Sequence, residues 1–147
     1  MEQQTDAQAF QKYFTLEEAV KMLPAIQEML SLAQREIDSL RDDVILSKRL
    51  LLARRSSGRN PDEGEAALLQ QKFERFEETL QRWVAFFAQQ GIILRDVDSG
   101  LIDFPYRAES NQQDYLLCWR PDEDGIFYFH GLHEGFKGRH PISLLPD

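Results

Sequence analysis

The sequence predicts an α+β fold, in which a long antiparallel helical hairpin precedes a small antiparallel β-sheet of about four strands. Two observations lead to this prediction. Apolar residues recur every three or four positions through most of residues 15–91, as in packed helices. Residues 92–147 instead alternate short apolar segments with turn residues, and they hold half of the aromatic residues and all three histidines. We therefore expect a single domain with a flexible N-terminus (1–14), a helical hairpin (15–91) and a β-rich subdomain (92–147).

The composition is that of an ordinary globular protein with an acidic balance. The 147 residues include 25 acidic and 17 basic side chains, which give a formal charge of −8. An acidic protein repels phosphate backbones, so we expect no nucleic-acid partner. No apolar run approaches the roughly 18 residues of a membrane-spanning helix, so we expect no membrane partner either. Because residues 1–12 lack an export signal and Cys118 is the only cysteine, the expected location is the cytoplasm.

The first helix is predicted to begin with a capping box, in which Thr15 and Glu18 satisfy each other's backbone donors. Behind this box, the apolar positions follow a period of 3.5 residues, which is typical of a left-handed helix–helix seam. The seam consists of Leu16, Ala19, Leu23, Ile26, Leu30, Ala33, Ile37, Leu40, Val44, Ser47 and Leu51. Pro24 lacks an amide donor and disfavours helical geometry at the residue before it. We therefore expect a kink or break there, with a short helix over 15–23 and a long one to about Arg55.

A turn at residues 56–60 separates this helix from a second one over about 62–90. Asn60 is the expected N-cap, Pro61 suits the first helical position, and Gly91 is the expected left-handed terminator. The second helix repeats the seam with Ala66, Leu69, Phe73, Phe76, Leu80, Trp83 and Phe87. Two helices of similar length joined by a short turn are expected to lie antiparallel.

The two helices carry more apolar surface than they can bury against each other. The flanking apolar residues are Met22, Met29, Leu32, Leu46, Leu50, Leu52, Leu68, Val84 and Phe86. Either the C-terminal half or a second copy covers them, and we expect a homodimer because small domains have little core of their own. Basic residues gather near the hairpin tip: Lys48, Arg49, Arg54, Arg55 and Arg59. They could bind an anion or an acidic partner, although cations also favour a helix C-terminus without any ligand.

A first β-hairpin is predicted around residues 98–100, a three-residue loop with glycine last. Simple pairing places Arg95 opposite Asp103 and Leu94 opposite Phe104. Asp103 is therefore expected to be a cross-strand ion-pair partner rather than a catalytic carboxylate.

A second β-hairpin is predicted around residues 121–125. Its pairing places Trp119 opposite Phe127 and Leu117 opposite Phe129, and these four side chains form an aromatic face that should be buried. The opposite face gathers Leu116, Cys118, Tyr128 and His130. An open pocket lined by the polar members of this face would favour an enzyme, whereas burial among aliphatic side chains would disfavour one.

Two kinds of chemistry are conceivable in the C-terminal region. His130, His133, Glu134 and His140 lie within eleven residues and offer ligands that suit zinc or iron, but their spacing matches no standard site. A nucleophilic pair of Cys118 and His130 would need a lowered thiol pKa, whereas a mid-strand cysteine is usually a small buried hydrophobe. We therefore assign no metal, no cofactor and no catalytic residue from the sequence.

Several segments together resemble one known family. The N-terminal segments are Tyr13-Phe14-Thr15-Leu16-Glu17-Glu18-Ala19 and Met22-Leu23-Pro24, and the later ones are Gly100-Leu101-Ile102-Asp103-Phe104-Pro105, Leu117-Cys118-Trp119-Arg120, His130, Glu134-Gly135-Phe136 and Gly138-Arg139. From about Tyr13 to Ile142, the chain resembles the bacterial domain-of-unknown-function family numbered 2203. That family has no established activity, so the resemblance implies none.

The resemblance does mark matching positions, at Asp103, Pro105, Cys118, Trp119, His130, Glu134, Gly135 and Arg139. The chain departs from the family pattern at Phe129, where tryptophan is favoured, and at His133, where an acidic residue is favoured. We expect a non-catalytic cytoplasmic interaction or scaffold module that self-associates through its helices. Its partner, a protein or a small molecule, would bind at Asp103, Cys118, Trp119, His130, Glu134 and Arg139. The alternative is a metal-dependent or small-molecule-binding enzyme that uses His130 and Glu134.

Overall fold

Two long helices precede a five-stranded antiparallel sheet in the computed structural model, which describes residues 8–59 and 63–147. The elements are α1 (Leu16–Ser56), α2 (Glu63–Gln89), β1 (Ile93–Asp96), β2 (Leu101–Arg107), β3 (Asp114–Trp119), β4 (Tyr128–Gly131) and β5 (His140–Pro141), with short 3-10 helices at Phe136–Gly138 and Ile142–Leu144. The predicted α+β class with a helical hairpin is confirmed, and the sheet has five strands rather than about four. No helix in the described part of the chain is long and apolar enough to cross a membrane.

The contacts divide the described chain into two units. One unit combines residues 8–30 with residues 86–147, and the other consists of residues 31–85. Both helices therefore contribute residues to both units.

Pro24 does not interrupt the first helix, so the predicted break after residue 23 is wrong. Helix α1 runs through Pro24 as one element of 41 residues. Pro24 and Val20 both lie on the exposed side, where water can satisfy the carbonyl that loses its amide donor. On the other side, Leu23 and Ile26 are buried and hold the helix in place. The excess length of α1 over the 27 residues of α2 is accounted for by its first turns, which belong to the unit with the sheet.

The predicted starts and stops of the helices agree with the structure where it describes them. Thr15 and Glu18 form the capping box: the Glu18 amide donates to Thr15 Oγ1 at 3.0 Å, and the Thr15 amide donates to Glu18 Oε1 at 2.8 Å. Gly91 ends α2 with a φ of 83°, and the following amide of Ile92 donates to the carbonyl of Phe87. The expected cap Asn60 and its neighbour Pro61 lie outside the described residues.

The unit of residues 31–85 is an antiparallel helical hairpin, as predicted. Trp83 Nε1 donates to Glu36 Oε1 at 2.8 Å, and nearer the tip Arg54 forms an ion pair with Glu65. Between these contacts, Lys72 Nζ donates to Ser47 Oγ at 2.8 Å. The single polar position of the first seam is therefore a hydrogen-bond acceptor for the opposite helix.

The sheet is a meander with strand order β1-β2-β3-β4-β5 and antiparallel pairing throughout. In the second hairpin, Leu117 lies opposite Phe129 as predicted. In the first hairpin, the predicted register is wrong, since Ile93 pairs with Asp103 and Leu94 pairs with Ile102. Two shifts of one residue each are the cause. Asp96 rather than Val97 pairs with Leu101, so the turn is one residue longer than predicted, and an irregularity between Leu94 and Asp96 leaves the intervening residue outside the ladder.

One face of the sheet is apolar and buried, and it includes Ile102, Phe104, Leu117, Trp119 and Phe129. Phe127, which was expected in the same buried face, is 47% exposed because β4 begins only after it. The segment before α1 lies against this sheet: Phe14 packs edge-on against Phe104, and its amide donates to the carbonyl of Pro105. The opposite sheet face carries the polar residues that form the candidate site.

Candidate functional site

Three buried polar side chains converge on the second face of the sheet. Asp103 on β2 pairs directly with Cys118 on β3, and His130 on β4 pairs with Leu116, two residues from Cys118. Because side chains two residues apart on a strand share a face, all three lie on the same side of the sheet. Asp103, Cys118 and His130 are 1%, 1% and 4% exposed, respectively. They form the only group of potential metal ligands found within the described residues, and one ligand atom from each lies within 4.8 Å of the others.

The imidazole of His130 contacts an acceptor at each ring nitrogen. Nδ1 lies 2.9 Å from the carbonyl oxygen of Gly131, and Nε2 lies 3.2 Å from both carboxylate oxygens of Asp103. The hydrogen bond with Asp103 raises the pKa of His130 above its ordinary value, and this effect outweighs the opposing effect of burial. The geometry thus favours a positive charge between the imidazole and the carboxylate.

Asp103 has a second cationic partner, Arg95. Its Nε donates to Asp103 Oδ2 at 2.8 Å, and the Arg95 side chain is 44% exposed. The predicted ion pair between these residues is therefore confirmed, although the predicted strand register is not. Asp103 is more than this ion-pair partner, because it also contacts His130 inside the sheet.

Cys118 does not have the environment of a nucleophile. Burial, together with the nearby carboxylate of Asp103, raises the pKa of the Cys118 thiol to about 12. A thiol with this pKa is protonated at neutral pH, so a nucleophilic pair of Cys118 and His130 has no support from the geometry. A bound cation would be needed to stabilise the thiolate.

A pocket of about 300 Å³ opens above the three buried side chains. It is lined by Arg95, Leu101, Asp103, Cys118, His130, Leu132, His133, Glu134 and Gly135. Cys118 and His130 thus line an open pocket, which was the arrangement expected to favour an enzyme. Tyr128, the third polar residue of the predicted constellation, is 38% exposed and is not part of this lining.

The four candidate metal ligands predicted in the C-terminal region do not come together as one site. They are His130, His133, Glu134 and His140. Glu134 accepts a hydrogen bond from the Gly131 amide at 2.8 Å and contacts His140 Nε2 at 3.1 Å. The hydrogen bond from Gly131 and, to a lesser extent, that from His140 lower the pKa of Glu134. A Cβ atom at Gly131 would lie 3.0 Å from Glu134 Oε1, so glycine allows this close approach. Within this set, His130 faces Asp103, and Glu134 faces His140.

Two other predicted site residues lie outside the pocket. Trp119 is 2% exposed on the apolar face, and its Nε1 donates to the carbonyl of Glu123 at 2.9 Å. Arg139 donates to Glu123 Oε2 at 2.7 Å and stacks over the ring of Tyr128 at 4.0 Å. Both side chains hold the loop of Glu123 in position, and neither is among the residues that line the pocket.

The pairing of Asp103 with Cys118 was not predicted. Each β-hairpin has a local turn signal, but the connection between β2 and β3 gives no local signal of register. Once these strands are known to be neighbours in a meander, alignment of the two buried segments brings Asp103 beside Cys118.

The fold and the site define an α+β protein that combines a helical hairpin with a buried Asp–Cys–His cluster beneath a pocket on a meander sheet. The family model described as "Uncharacterized conserved protein (DUF2203)" matches residues 12–142. The chain therefore belongs to this family, as the resemblance in its motifs predicted. No curated protein and no solved structure matches the chain.

Proposed function

We propose that this protein is a non-catalytic interaction or scaffold module that forms a homodimer through its helical hairpin. The observation that carries the proposal is the apolar surface of the hairpin. Eight large apolar side chains in the described part of residues 31–85 are 40–57% exposed: Leu32, Ile45, Leu46, Leu50, Leu52, Leu68, Phe73 and Val84. Where such side chains are contiguous on one face, they mark a site of association more often than a surface that stays in water.

One side of the hairpin offers a groove for a partner. Leu50 on α1 and Leu68 on α2 line a groove of about 160 Å³, and the half-buried Leu51 and Leu69 lie at its base. Leu46 lies one helical turn from Leu50, so its side chain extends the same face. A second hairpin that inserts its own leucines here would remove these side chains from water.

The charges of the hairpin favour a second copy of this chain as the occupant. The tip half, residues 44–59 and 63–72, contains six basic and two acidic side chains. The other half, residues 31–43 and 73–85, contains four basic and seven acidic side chains. Two copies in antiparallel orientation about a two-fold axis would place each positive tip against the negative half of its partner. Leu46 lies close to the middle of residues 31–59, so it would meet its own symmetry mate.

The rest of the proposal concerns the binding pocket on the sheet, the source and location of the protein, and the partners that it lacks. The pocket above Asp103, Cys118 and His130 would bind the unknown protein or small-molecule partner. A bacterial source, a cytoplasmic location and the lack of nucleic-acid and membrane partners are part of the proposal. They rest on the resemblance to a bacterial family, the single cysteine and the acidic charge. An enzyme that uses His130 and Glu134 is the second candidate, and it is favoured by one observation, the presence of both residues in the pocket lining.

Light scattering on the purified chain tests the dimer. We expect twice the 17.2 kDa chain mass at micromolar concentration, and the chain mass for Leu50→Glu. Leu52→Glu is the matched control. Leu52 is 50% exposed against 55% for Leu50, but two residues further along a helix its side chain points to a different face, and it does not line the groove. A wild-type monomer with full helical circular dichroism would overturn the dimer. Equal disruption by both variants would overturn the proposed face.

A further inference from the structure

The buried cluster on the sheet has a donor set that suits a metal ion. Asp103 offers a carboxylate oxygen, Cys118 a sulfur and His130 an imidazole nitrogen, and all three are at least nine-tenths buried. Mixed nitrogen, sulfur and oxygen ligands of this kind suit zinc and its neighbours among the divalent transition metals. Calcium and magnesium, by contrast, prefer sites made of oxygen ligands alone.

The hydrogen bonds of His130 orient it for this role. A backbone carbonyl can only accept, so the contact with Gly131 requires the hydrogen of the imidazole to be on Nδ1. The lone pair of the neutral ring then lies on Nε2 and faces two carboxylate oxygens of Asp103 at 3.2 Å. Two acceptors at this distance need either a proton or a metal ion between them. A histidine that ligates a metal through one nitrogen typically donates its other N–H to a carbonyl in the same way.

The spacing of the cluster is close to that of a bound ion. A tetrahedral ion with bonds of about 2.0–2.3 Å holds its ligand atoms roughly 3.3–3.8 Å apart. The ligand atoms of Asp103, Cys118 and His130 lie within 4.8 Å of one another. Small side-chain rotations would therefore bring them into the bonding range, and the strand ladder would not have to change.

The fourth position of such an ion would face the pocket. The three buried side chains occupy the sheet side, and the pocket of about 300 Å³ opens on the other side. Glu134 contacts the Gly131 amide and His140, so the fourth ligand would be water or a small molecule. Arg95 contacts Asp103 Oδ2, which leaves Oδ1 for the ion.

We propose that Asp103, Cys118 and His130 bind one divalent transition-metal ion of the zinc class, with an open coordination position toward the pocket. Binding would convert the Cys118 thiol to a thiolate with release of its proton, and the ion would displace any proton on His130 Nε2. The two anionic ligands then balance the charge of the ion, and Arg95 remains paired with Asp103. This site is independent of the hairpin dimer.

Cobalt titration of the untagged, metal-stripped full chain tests the proposal. Cobalt replaces zinc in such sites and gives a thiolate-to-cobalt charge-transfer band together with visible d–d bands. Because Cys118 is the only cysteine in the chain, it must be the source of any charge-transfer band. We expect both bands to saturate at one equivalent of cobalt per chain and to disappear on addition of zinc.

Three variants separate the site from non-specific binding. Cys118→Ser should lose the charge-transfer band and keep weaker d–d bands, and His130→Ala should bind cobalt more than about 100-fold more weakly, beyond the effect typical of an outer-shell change. His140→Ala is the matched control, since His140 contacts Glu134 and is not among the residues that line the pocket, and it should bind like the wild type. Circular dichroism checks that each variant is folded. If a cluster variant does not fold, the one-equivalent saturation and the displacement by zinc in the wild type decide the question.

The absence of a charge-transfer band in the folded wild type would overturn the proposal. Equal loss of binding in His140→Ala and His130→Ala would also overturn it, because it would indicate a loop site rather than the buried cluster. In either case, the proton shared by Asp103 and His130 would be the cation that their geometry requires.

Discussion

The carboxylate of Asp114 joins the segment before α1 to the sheet, and its removal tests how firmly that segment is held. Asp114 Oδ2 accepts hydrogen bonds from the Ala9 amide at 3.0 Å and from the Tyr13 hydroxyl at 2.7 Å. Its Oδ1 accepts one from Arg107 Nη1 at 2.7 Å. The side chains of Asp114 and Arg107 are only 4% and 14% exposed, so this ion pair is shielded from solvent.

We expect Asp114→Ala to lower the free energy of unfolding by about 3 kcal/mol. The variant loses three hydrogen bonds to a charged acceptor, and removal of one member of a buried ion pair typically costs about 3–5 kcal/mol. The lower end applies because the Ala9 amide is exposed and can donate to water once the carboxylate is removed. Urea unfolding at pH 7, followed by circular dichroism, measures the difference.

The effect of Asp114→Ala should depend on pH. Burial raises the pKa of Asp114, but the hydrogen bonds from Ala9, Tyr13 and Arg107 lower it further than burial raises it. Because the pKa in the folded state lies below that of the unfolded state, about 3.9, the stabilisation is complete well above pH 4. It is lost as the pH falls through the folded-state pKa, so wild type and variant should converge in acid.

Asp122→Ala is the control for this measurement. Asp122 also pairs with an arginine, Arg120, but its side chain is 69% exposed, and such pairs contribute about 0–1 kcal/mol. A loss for Asp114→Ala no larger than that for Asp122→Ala would refute the idea that Asp114 anchors the segment. A difference that stayed constant down to pH 2 would refute the role of the charge.

Two further predictions concern the helix start and the buried sheet face. Thr15→Ala removes the hydroxyl that accepts from the Glu18 amide, and it should cost about 1 kcal/mol in urea unfolding, whereas Thr15→Ser should cost little. Trp119→Ala should cost about 3–5 kcal/mol because the side chain is 2% exposed, whereas Phe127→Ala should cost less than about 1.5 kcal/mol because almost half of Phe127 is already in water. If Trp119→Ala and Phe127→Ala lowered the free energy of unfolding equally, the observation that Trp119 belongs to the buried face and Phe127 does not would be contradicted.

The helices were predictable because their signals are local. The seam repeats over many turns, the capping box lies within four residues, and the terminator Gly91 acts on its own backbone. The predicted break at Pro24 was wrong because the free-energy cost of a proline inside a helix depends on solvent exposure, which a sequence pattern does not show. The loss of one hydrogen bond on the exposed side is smaller than the gain from burying Leu23 and Ile26.

The strands and the site were less predictable because they depend on non-local pairing. The predicted register of β1 was wrong because the turn is one residue longer than predicted and a bulge then shifts the later pairs by one more residue. Each hairpin showed part of the site, with Asp103 in one and Cys118 and His130 in the other. Only the ladder between β2 and β3 joins them, and the segment that connects these strands carries no signal of its register.

The polar cluster is difficult to explain as a structural feature alone. The buried face on the other side of the sheet contains Phe104 and Leu117, and aliphatic residues at the cluster would fill the space without the cost of desolvating a carboxylate and an imidazole. Arg95 does not require Asp103 to be buried, because its own side chain is 44% exposed and could pair with a surface carboxylate. The buried cluster does provide a preorganised site that prefers a cation and opens to a pocket. This contrast between a polar cluster and an otherwise apolar interior supports the proposed metal site in the sheet.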